Sequence, residues 1–454
     1  MKIHFIGIDG ISMSAIAKIM QEKGHQISGS DLKSGPLTTR LVDKGAVFFE
    51  NQVEENIKRI KPDVVVYTAA INNKNPELIA AKKSKAKVFD RATFLGELAK
   101  EYSRSIAVSG SHGKTTTTAM LTLTLLKAKS SPTALVGGEL SDIAGNVVIG
   151  ESEIFVTEAC EYVESFLKIF PYIGIVLNID KDHLDYFRDL DHIITSFEKF
   201  SDNIIDNGFL IINNEDPNTA RVIKHFNGNL ITFGLCEKSM WHVKDINNIE
   251  NGSISSLYKK NDFYGKLELS VPGAHNVLNA LAVIAACDVL GINITVAINA
   301  LKDFTGTHRR FEKKGTFNKT LLIDDYAHHP KEIKTTIEAI KSSYPNKRIT
   351  VVFQPHTYSR TRTLLKEFST AFNLVDRLII TSTYPAREPY DKKGDSQTLI
   401  KAIDKNVNQI FYIEDYKKTA NFLYDNLANE DILITMGAGP VDEVIDILLN
   451  FNQE

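Results

Sequence analysis

One segment constrains this chain more than any other. Residues 105–109, Ser-Ile-Ala-Val-Ser, form an apolar run of strand character that leads straight into Gly110-Ser-His-Gly-Lys-Thr-Thr-Thr-Thr118. A strand, a glycine-rich turn and a helix start leave several backbone N–H groups unpaired. Those groups and the helix dipole converge on one spot, which suits a phosphate. Gly110 and Gly113 let the backbone come close, Lys114 offers a charge to β- and γ-phosphates, and the Thr115 hydroxyl can sit on Mg²⁺. Val108 occupies the position of the first glycine of the longer Gly-x-x-x-x-Gly-Lys-Thr pattern, so the shorter Gly-x-x-Gly-Lys-Thr remains.

The rest of the chain alternates in the same manner. Strands are predicted at residues 3–8, 26–30 and 63–68, with a helix at 12–23. Further strands are expected at 105–109, 154–157, 173–177 and 209–212, and then at 320–323, 348–353, 377–381 and 431–435. Strands alternating with helices imply parallel sheets covered on both faces. The stretch 234–271, rich in Asn, Lys and Ser, reads as a small antiparallel excursion before a helix at 275–290. At roughly 150 residues per domain, 454 residues suggest about three domains. The expected boundaries give 1–100, 101–307 and 308–454, all α/β.

Composition narrows the function classes. A net charge of -3 gives no electrostatic footprint for nucleic acid or an anionic membrane. No apolar stretch is long enough to span a bilayer. The cysteines, Cys160, Cys236 and Cys287, are scattered and form no Cys-x-x-Cys pair, which fits a reducing, cytoplasmic setting without disulfides or zinc. Cys160 reads as a buried, inert thiol, because flanking acids raise a thiol pKa. Nothing in the sequence sets the oligomeric state.

Several clusters complete the picture. Gly7-Ile-Asp-Gly-Ile-Ser12 follows the first strand in the context of a dinucleotide turn, but Asp9 and Ser12 break that fingerprint and disfavour a redox enzyme. Asp31 ends the second strand, where a ribose-binding acid belongs. Glu158 stands at a strand end suited to Mg²⁺. Asp180, Asp182, His183 and Asp185 crowd one loop, with Asp180 and Asp185 read as solvated. His308-Arg309-Arg310-Phe311 sits at the second boundary, where paired arginines could bridge a phosphate. Asp324-Asp-Tyr-Ala-His-His-Pro330 and Gln354-Pro-His-Thr-Tyr-Ser-Arg360 each end a buried strand, where α/β ligand sites form.

Together these residues resemble the Mur ligase family. The resemblance runs through Gly7–Ala17, Gly110–Thr118, Glu158-Ala-Cys-Glu-Tyr162, Asn178–Phe187, Gly273-Ala-His-Asn-Val-Leu-Asn-Ala280, His308–Phe311, Asp325–Pro330 and Gln354–Arg360, in the family's order. It implies three domains: a Rossmann-like N-terminal domain, a central P-loop ATPase-like parallel sheet and a C-terminal Rossmann-like domain. It also implies an ATP- and Mg²⁺-dependent ligase joining L-alanine to the carboxylate of UDP-N-acetylmuramate through an acyl phosphate, in peptidoglycan precursor synthesis. A murein tripeptide ligase and a non-catalytic nucleotide-binding regulator are the alternatives.

By resemblance, Gly110, Ser111, His112, Gly113, Lys114, Thr115 and Thr116 would bind ATP with His275, Asn276, Asn279, Arg310 and Asp325. Thr115 and Glu158 would hold one Mg²⁺ and His183 a second. Gly10, Ser30, Asp31 and Arg91 would hold the UDP-sugar, and Tyr326, His328, His356 and Arg360 the amino acid. Lys114, His183, Arg310 and His328 would carry the catalysis. Asp182-His-Leu-Asp-Tyr186 and Glu161-Tyr-Val-Glu-Ser-Phe166 resemble the alanine-adding branch. The chain departs from the family at Asp9 and Ser12, at Thr357 where many relatives carry Arg, and at Gly437-Ala-Gly-Pro-Val-Asp442.

Overall fold

The computed structural model describes all residues except 141, 142, 144, 185, 251, 404–406, 428–430 and 452–454. The chain forms two compact units: Met1–Asp180 with Leu190–Phe233 and Ala282–Ala297, and Lys181–Asp189 with Gly234–Leu281 and Ile298–Glu454.

The first unit holds two sheets. The N-terminal one contains β1 (Lys2–Ile6), β2 (Gln26–Ser30), β3 (Val47–Phe49), β4 (Val64–Tyr67) and β5 (Lys87–Asp90), all parallel, in the order β3-β2-β1-β4-β5. Its centre is β1, with Ile3, Phe5 and Ile6 fully buried, as a strand covered on both faces requires. The chain reverses direction of strand addition after β3, so the β1 loop faces a switch point, where open α/β sheets take ligands.

The second sheet contains β6 (Arg104–Ser109), β7 (Thr133–Leu140), β8 (Gly145–Val148), β9 (Ile154–Glu158), β10 (Ile173–Val176), β11 (Phe209–Asn213) and β12 (Asn229–Gly234), in the order β12-β11-β10-β6-β9-β7-β8. β6 lies between β9 and β10, parallel to both. Its C-terminal end therefore has a neighbour strand end on each side, and the residues just beyond those ends converge.

The second unit contains the expected antiparallel excursion, β13 (Trp241–Ile249), β14 (Gly252–Lys259) and β15 (Asp262–Leu269). Its main sheet is β16 (Glu312–Phe317), β17 (Thr320–Asp325), β18 (Ile349–Phe353), β19 (Arg377–Ile380), β20 (Gln409–Tyr412) and β21 (Ile432–Met436), ordered β16-β17-β21-β18-β19-β20. Only β16 runs antiparallel. Alternate residues of one strand feed opposite cores: Val351 and Phe353 pack with Ile333 and Ile337, while Val352 packs with Leu423 and Val444. That double burial explains the unbroken apolar runs in the sequence. The strands β3, β5, β7, β8, β12, β16 and β20 had no strong pattern in the sequence; β3, β5 and β20 lie at sheet edges, half-buried or exposed.

Candidate functional site

The turn after β6 is built as the sequence predicts. Gly110 and Gly113 take φ of 139° and 88°, open to glycine but strained for other residues. A Cβ on Gly110 would lie 3.0 Å from Leu177 Cβ, so the turn also needs glycine for space. The helix Lys114–Lys127 follows, and its first internal bond is Thr117 N to Gly113 O at 2.9 Å. The amides of Lys114, Thr115 and Thr116 precede that bond and are the helix's orphan donors.

Asn178, just beyond β10, fixes the front of the turn. Its carbonyl accepts from Ser111 N at 3.1 Å, and its side chain accepts from His112 N at 2.8 Å and donates to His112 O at 3.0 Å. Ser111 Oγ accepts from Asp180 N at 2.8 Å, and the Asp180 carboxylate lies 3.6 Å from His112 Nε2. Asp180 thus buttresses the turn, and the expectation of a merely solvated side chain is corrected. Asp185 lies outside the described residues.

Lys114 packs half-buried against the loop, its side chain 15% exposed. Its Nζ donates to Gly110 O at 2.5 Å and to Glu161 at 2.8 Å. Burial works against the ammonium, but Glu161 and the neighbouring acids hold its pKa above the ordinary lysine range. Glu161 is 1% exposed. The sequence placed it in a quoted motif but assigned it no role, because nothing local sets the distance from residue 161 to residue 114. Glu158 ends β9, and its carboxylate accepts from Gly137 N at 2.7 Å. A Cβ at Gly137 would meet Glu158 Oε1 at 2.4 Å, so this glycine makes room for the carboxylate. Burial and Glu161 push the Cys160 thiol pKa up, in keeping with an inert thiol.

A cleft in the same unit is lined by Ser12 and Arg91 from the N-terminal sheet's loops and by Gly137, Thr157, Glu158 and Cys160 from the second sheet. Arg91 Nη1 donates to Ser12 Oγ at 3.2 Å. Gly10 caps the helix Ile11–Glu22 with extended backbone. Asp31 accepts from Asp9 N at 3.0 Å. The Asp9 carboxylate accepts from Gly35 N and from the Thr38 hydroxyl at 3.0 and 2.6 Å, so its charge is spent on the start of the next helix. Ser30 behaves differently from Gly10 and Asp31. Its side chain is fully buried and donates to Glu77 at 2.5 Å, which leaves its backbone carbonyl to accept from Gly7 and Ile8.

In the second unit, Asp182 gathers the histidine and arginine ends. Its Oδ1 accepts from His183 N at 2.7 Å and stands 3.5 Å from Arg360 Nη2. Burial opposes its charge, but His183, Arg360, His329 and His328 hold the carboxyl well below the usual range. Arg360 Nη1 donates to His356 O at 2.9 Å. His328 meets the ring edges of Tyr326 and His356, with centroids 5.5 and 5.9 Å apart. Burial pushes His328 and His356 down to about 4, Arg360 adding to both. Tyr326, His328, His356 and Arg360 are therefore one cluster.

The two arginines of the boundary motif part company. Arg309 is bound to Asp324 Oδ2 at 2.8 Å and to the carbonyls of Gly437 and Gly439, and lies 3.3 Å from Asp442. Arg309 is thus held by the fold, and both guanidiniums lie over the Tyr326 ring, Arg309 at 5.4 Å and Arg310 at 5.0 Å. The departure at Pro440 is matched by Asp442, whose carboxylate serves Arg309. Asp325 accepts from Ala327 N at 2.7 Å and Phe311 N at 3.1 Å, and burial, opposed by Arg310, pushes it up to about 6. His275 opens a helix with Asn276 and Asn279, whose side chains join at 3.3 Å. Its Nδ1 is enclosed without a hydrogen-bond partner, and burial pushes its pKa down to about 4.

Three family models match end to end: "Mur ligase family, catalytic domain" over residues 2–103, "Mur ligase middle domain" over 108–287 and "Mur ligase, glutamate ligase domain" over 309–439. The chain belongs to the Mur ligase family. The family has an ATP-dependent activity. The chain is 46% identical over 454 residues to UDP-N-acetylmuramate–L-alanine ligase of Caldanaerobacter subterraneus subsp. tengcongensis, covering 100% of this chain and 98% of that one. It is 48% identical to the same-named ligase of Acetivibrio thermocellus, covering 99% and 96%. The crystal structure of UDP-N-acetylmuramate-alanine ligase from Thermotoga maritima superposes with a TM-score of 0.82 at 30% identity, covering 100% of this chain and 99% of that chain. A murein peptide ligase from Psychrobacter arcticus, 23% identical with a TM-score of 0.72 over 99% and 98%, shares the fold. No helix among the described residues is long and apolar enough to cross a membrane.

Proposed function

We propose that this Mur ligase joins L-alanine to the lactyl carboxylate of UDP-N-acetylmuramate, using ATP, in peptidoglycan precursor synthesis. The observation that carries the reading is Lys114, which opens the helix after the glycine turn and is bonded to Glu161. Full-length relatives of that name at 46–48% identity support the substrate pair. The domain division we adopt is 1–100 for the UDP-sugar, 101–307 for ATP and 308–454 for the amino acid and nucleotide closure.

The muramyl carboxylate attacks the γ-phosphate in line, ADP leaves, and an acyl phosphate forms. The amine of L-alanine then attacks the acyl carbon, loses a proton, and inorganic phosphate departs. Lys114 and the helix amides stabilise charge on the transferring phosphoryl group, with Arg310 reaching the phosphates. His183 or His328 takes the proton from the amine. Tyr326, His356 and Arg360 hold the amino acid, and Arg91, Gly10 and Asp31 the UDP-sugar.

The oxygens of Thr115 and Glu158 fit Mg²⁺, a hard cation that prefers oxygen. Glu158 is seated over Gly137, where only a glycine leaves space, and Thr115 opens the nucleotide helix. These two would hold one ion and His183 a second. Among the described residues no three His, Cys, Asp or Glu gather into a metal cage. Bound there, Mg²⁺ supplies charge neutralisation on the phosphates.

Phosphate release with UDP-N-acetylmuramate, ATP and a panel of amines tests the reading. Release with L-alanine alone is the expected result. Release with the murein tripeptide and not with L-alanine would overturn the substrate assignment.

A further inference from the structure

Arg360 stands third in the helix Tyr358–Thr363, which has only six residues. A helix this short does not hold itself, and its opening amides need an outside acceptor. Its N-cap residue, Thr357, makes no side-chain capping bond. The acceptor comes from 28 or more residues downstream: Glu388 accepts from Ser359 N at 2.8 Å and from the Ser359 hydroxyl. The Thr357 hydroxyl lies 3.0 Å from Ser359 Oγ, inside the same knot. Burial works against the Glu388 charge, but Ser359 and Thr357 as donors keep its carboxyl below the usual range. A carboxylate there also complements the helix dipole.

The loop carrying Glu388 grips the same turn at other points. Tyr384 N donates to Pro355 O at 2.8 Å, and its ring stacks on His356 with centroids 5.4 Å apart. Gly394 packs so close to the helix start that a Cβ would lie 2.0 Å from Tyr358 O. The Tyr390 ring meets Tyr358 edge-on. From this turn Arg360 reaches His356 O and Asp182. Its direction is therefore set at both ends, by Asp182 at the guanidinium and by Glu388 at the backbone.

We propose that Glu388 is a positioning residue for the amino-acid end of the site, aiming Arg360 through the first turn of the helix Tyr358–Thr363. The proposal rests on Arg360 being a contact of the amino acid. Without Glu388, Ser359 loses both acceptors, the turn loosens and the guanidinium no longer holds its direction. Small misplacements of a clamp reduce productive binding steeply. The loss falls on the amino acid, since Lys114 and Arg91 belong to the other unit.

Steady-state phosphate release, with L-alanine, ATP and UDP-N-acetylmuramate varied in turn, tests this in Glu388→Ala, Glu388→Gln and Arg360→Lys. The expected result for Glu388→Ala is a KM for L-alanine raised about tenfold or more, with the other two KM values within about twofold. Glu388→Gln, which keeps one acceptor oxygen, is expected to fall between. An unchanged alanine KM in Glu388→Ala beside a raised one in Arg360→Lys overturns the positioning role alone. A parallel rise in all three KM values, or a fall in active fraction with KM unchanged, makes Glu388 a folding residue and also overturns it. An unchanged alanine KM in Arg360→Lys removes the amino-acid reading of Arg360 itself.

Discussion

Gly7–Ser12 and Gly110–Thr115 are two versions of one device. Each leaves the end of a central parallel strand, turns on a glycine with positive φ and opens a helix with unpaired amides. They differ in the side chain that the turn carries. The first has Asp9, aimed at the start of the next helix through Gly35 and Thr38. The second has Lys114, half-buried and paired with Glu161. Backbone geometry provides a place for an anion in both. In the first the positive charge comes from Arg91, bonded to Ser12; in the second the turn itself carries it, at Lys114.

The comparison breaks most visibly at Lys114. Lys114→Ala is expected to reduce ADP formation about a thousandfold or more; near-normal turnover in a coupled assay would remove the loop's catalytic assignment. Glu161→Gln tests whether the ion pair matters to the resting fold. Breaking a buried pair costs about 3 kcal/mol, so a urea melt should shift to lower midpoint, and saturating ATP should recover much of the loss. A melt matching wild type would show that Lys114 does not depend on Glu161.

Acid separates the loops from the histidine cluster. His275, His328 and His356 titrate near 4 when folded, against an ordinary value of about 6.5. The unfolded chain binds those protons first, so their stability is present above about 6.5 and is lost as pH falls toward 4. Lys114 has the opposite sign: its raised pKa leaves its contribution intact until strongly alkaline pH. Melting temperature should therefore fall between pH 7 and 5, and fall less in His328→Gln. An equal fall in that variant would contradict the burial of His328.

The smallest effect is expected at the first loop. Asp9→Asn weakens charge-assisted bonds to Gly35 and Thr38, at about 1 kcal/mol. The KM for UDP-N-acetylmuramate should rise a few fold, with the KM for ATP unchanged. A change in the ATP value instead would show that the two loops do not divide the substrates.

Much of this was legible in one dimension. The strands β1, β6, β17, β18 and β21 are buried on both faces, and such strands announce themselves as apolar runs. The β6 turn carries its chemistry within ten residues, so its glycines, Lys114 and Thr115 could be read directly. Edge strands such as β3 and β20 have partly exposed faces and left no comparable pattern. Asp9 looked like a break in the dinucleotide fingerprint, yet it serves a helix start 26 residues away. Arg309 and Arg310 looked equivalent, and only the pairing with Asp324 and Asp442 separates them.

The sequence by itself determined the α/β class, the nucleotide turn and the family's order of motifs, because each is a local pattern of period, spacing or glycine. Tertiary structure decided the partners: Glu161 for Lys114, Asn178 for the turn, Asp182 for Arg360 and Glu388 for Ser359. Those pairs are separated by tens to nearly two hundred positions, and their distances follow from the packing of sheets and helices, which no local pattern encodes.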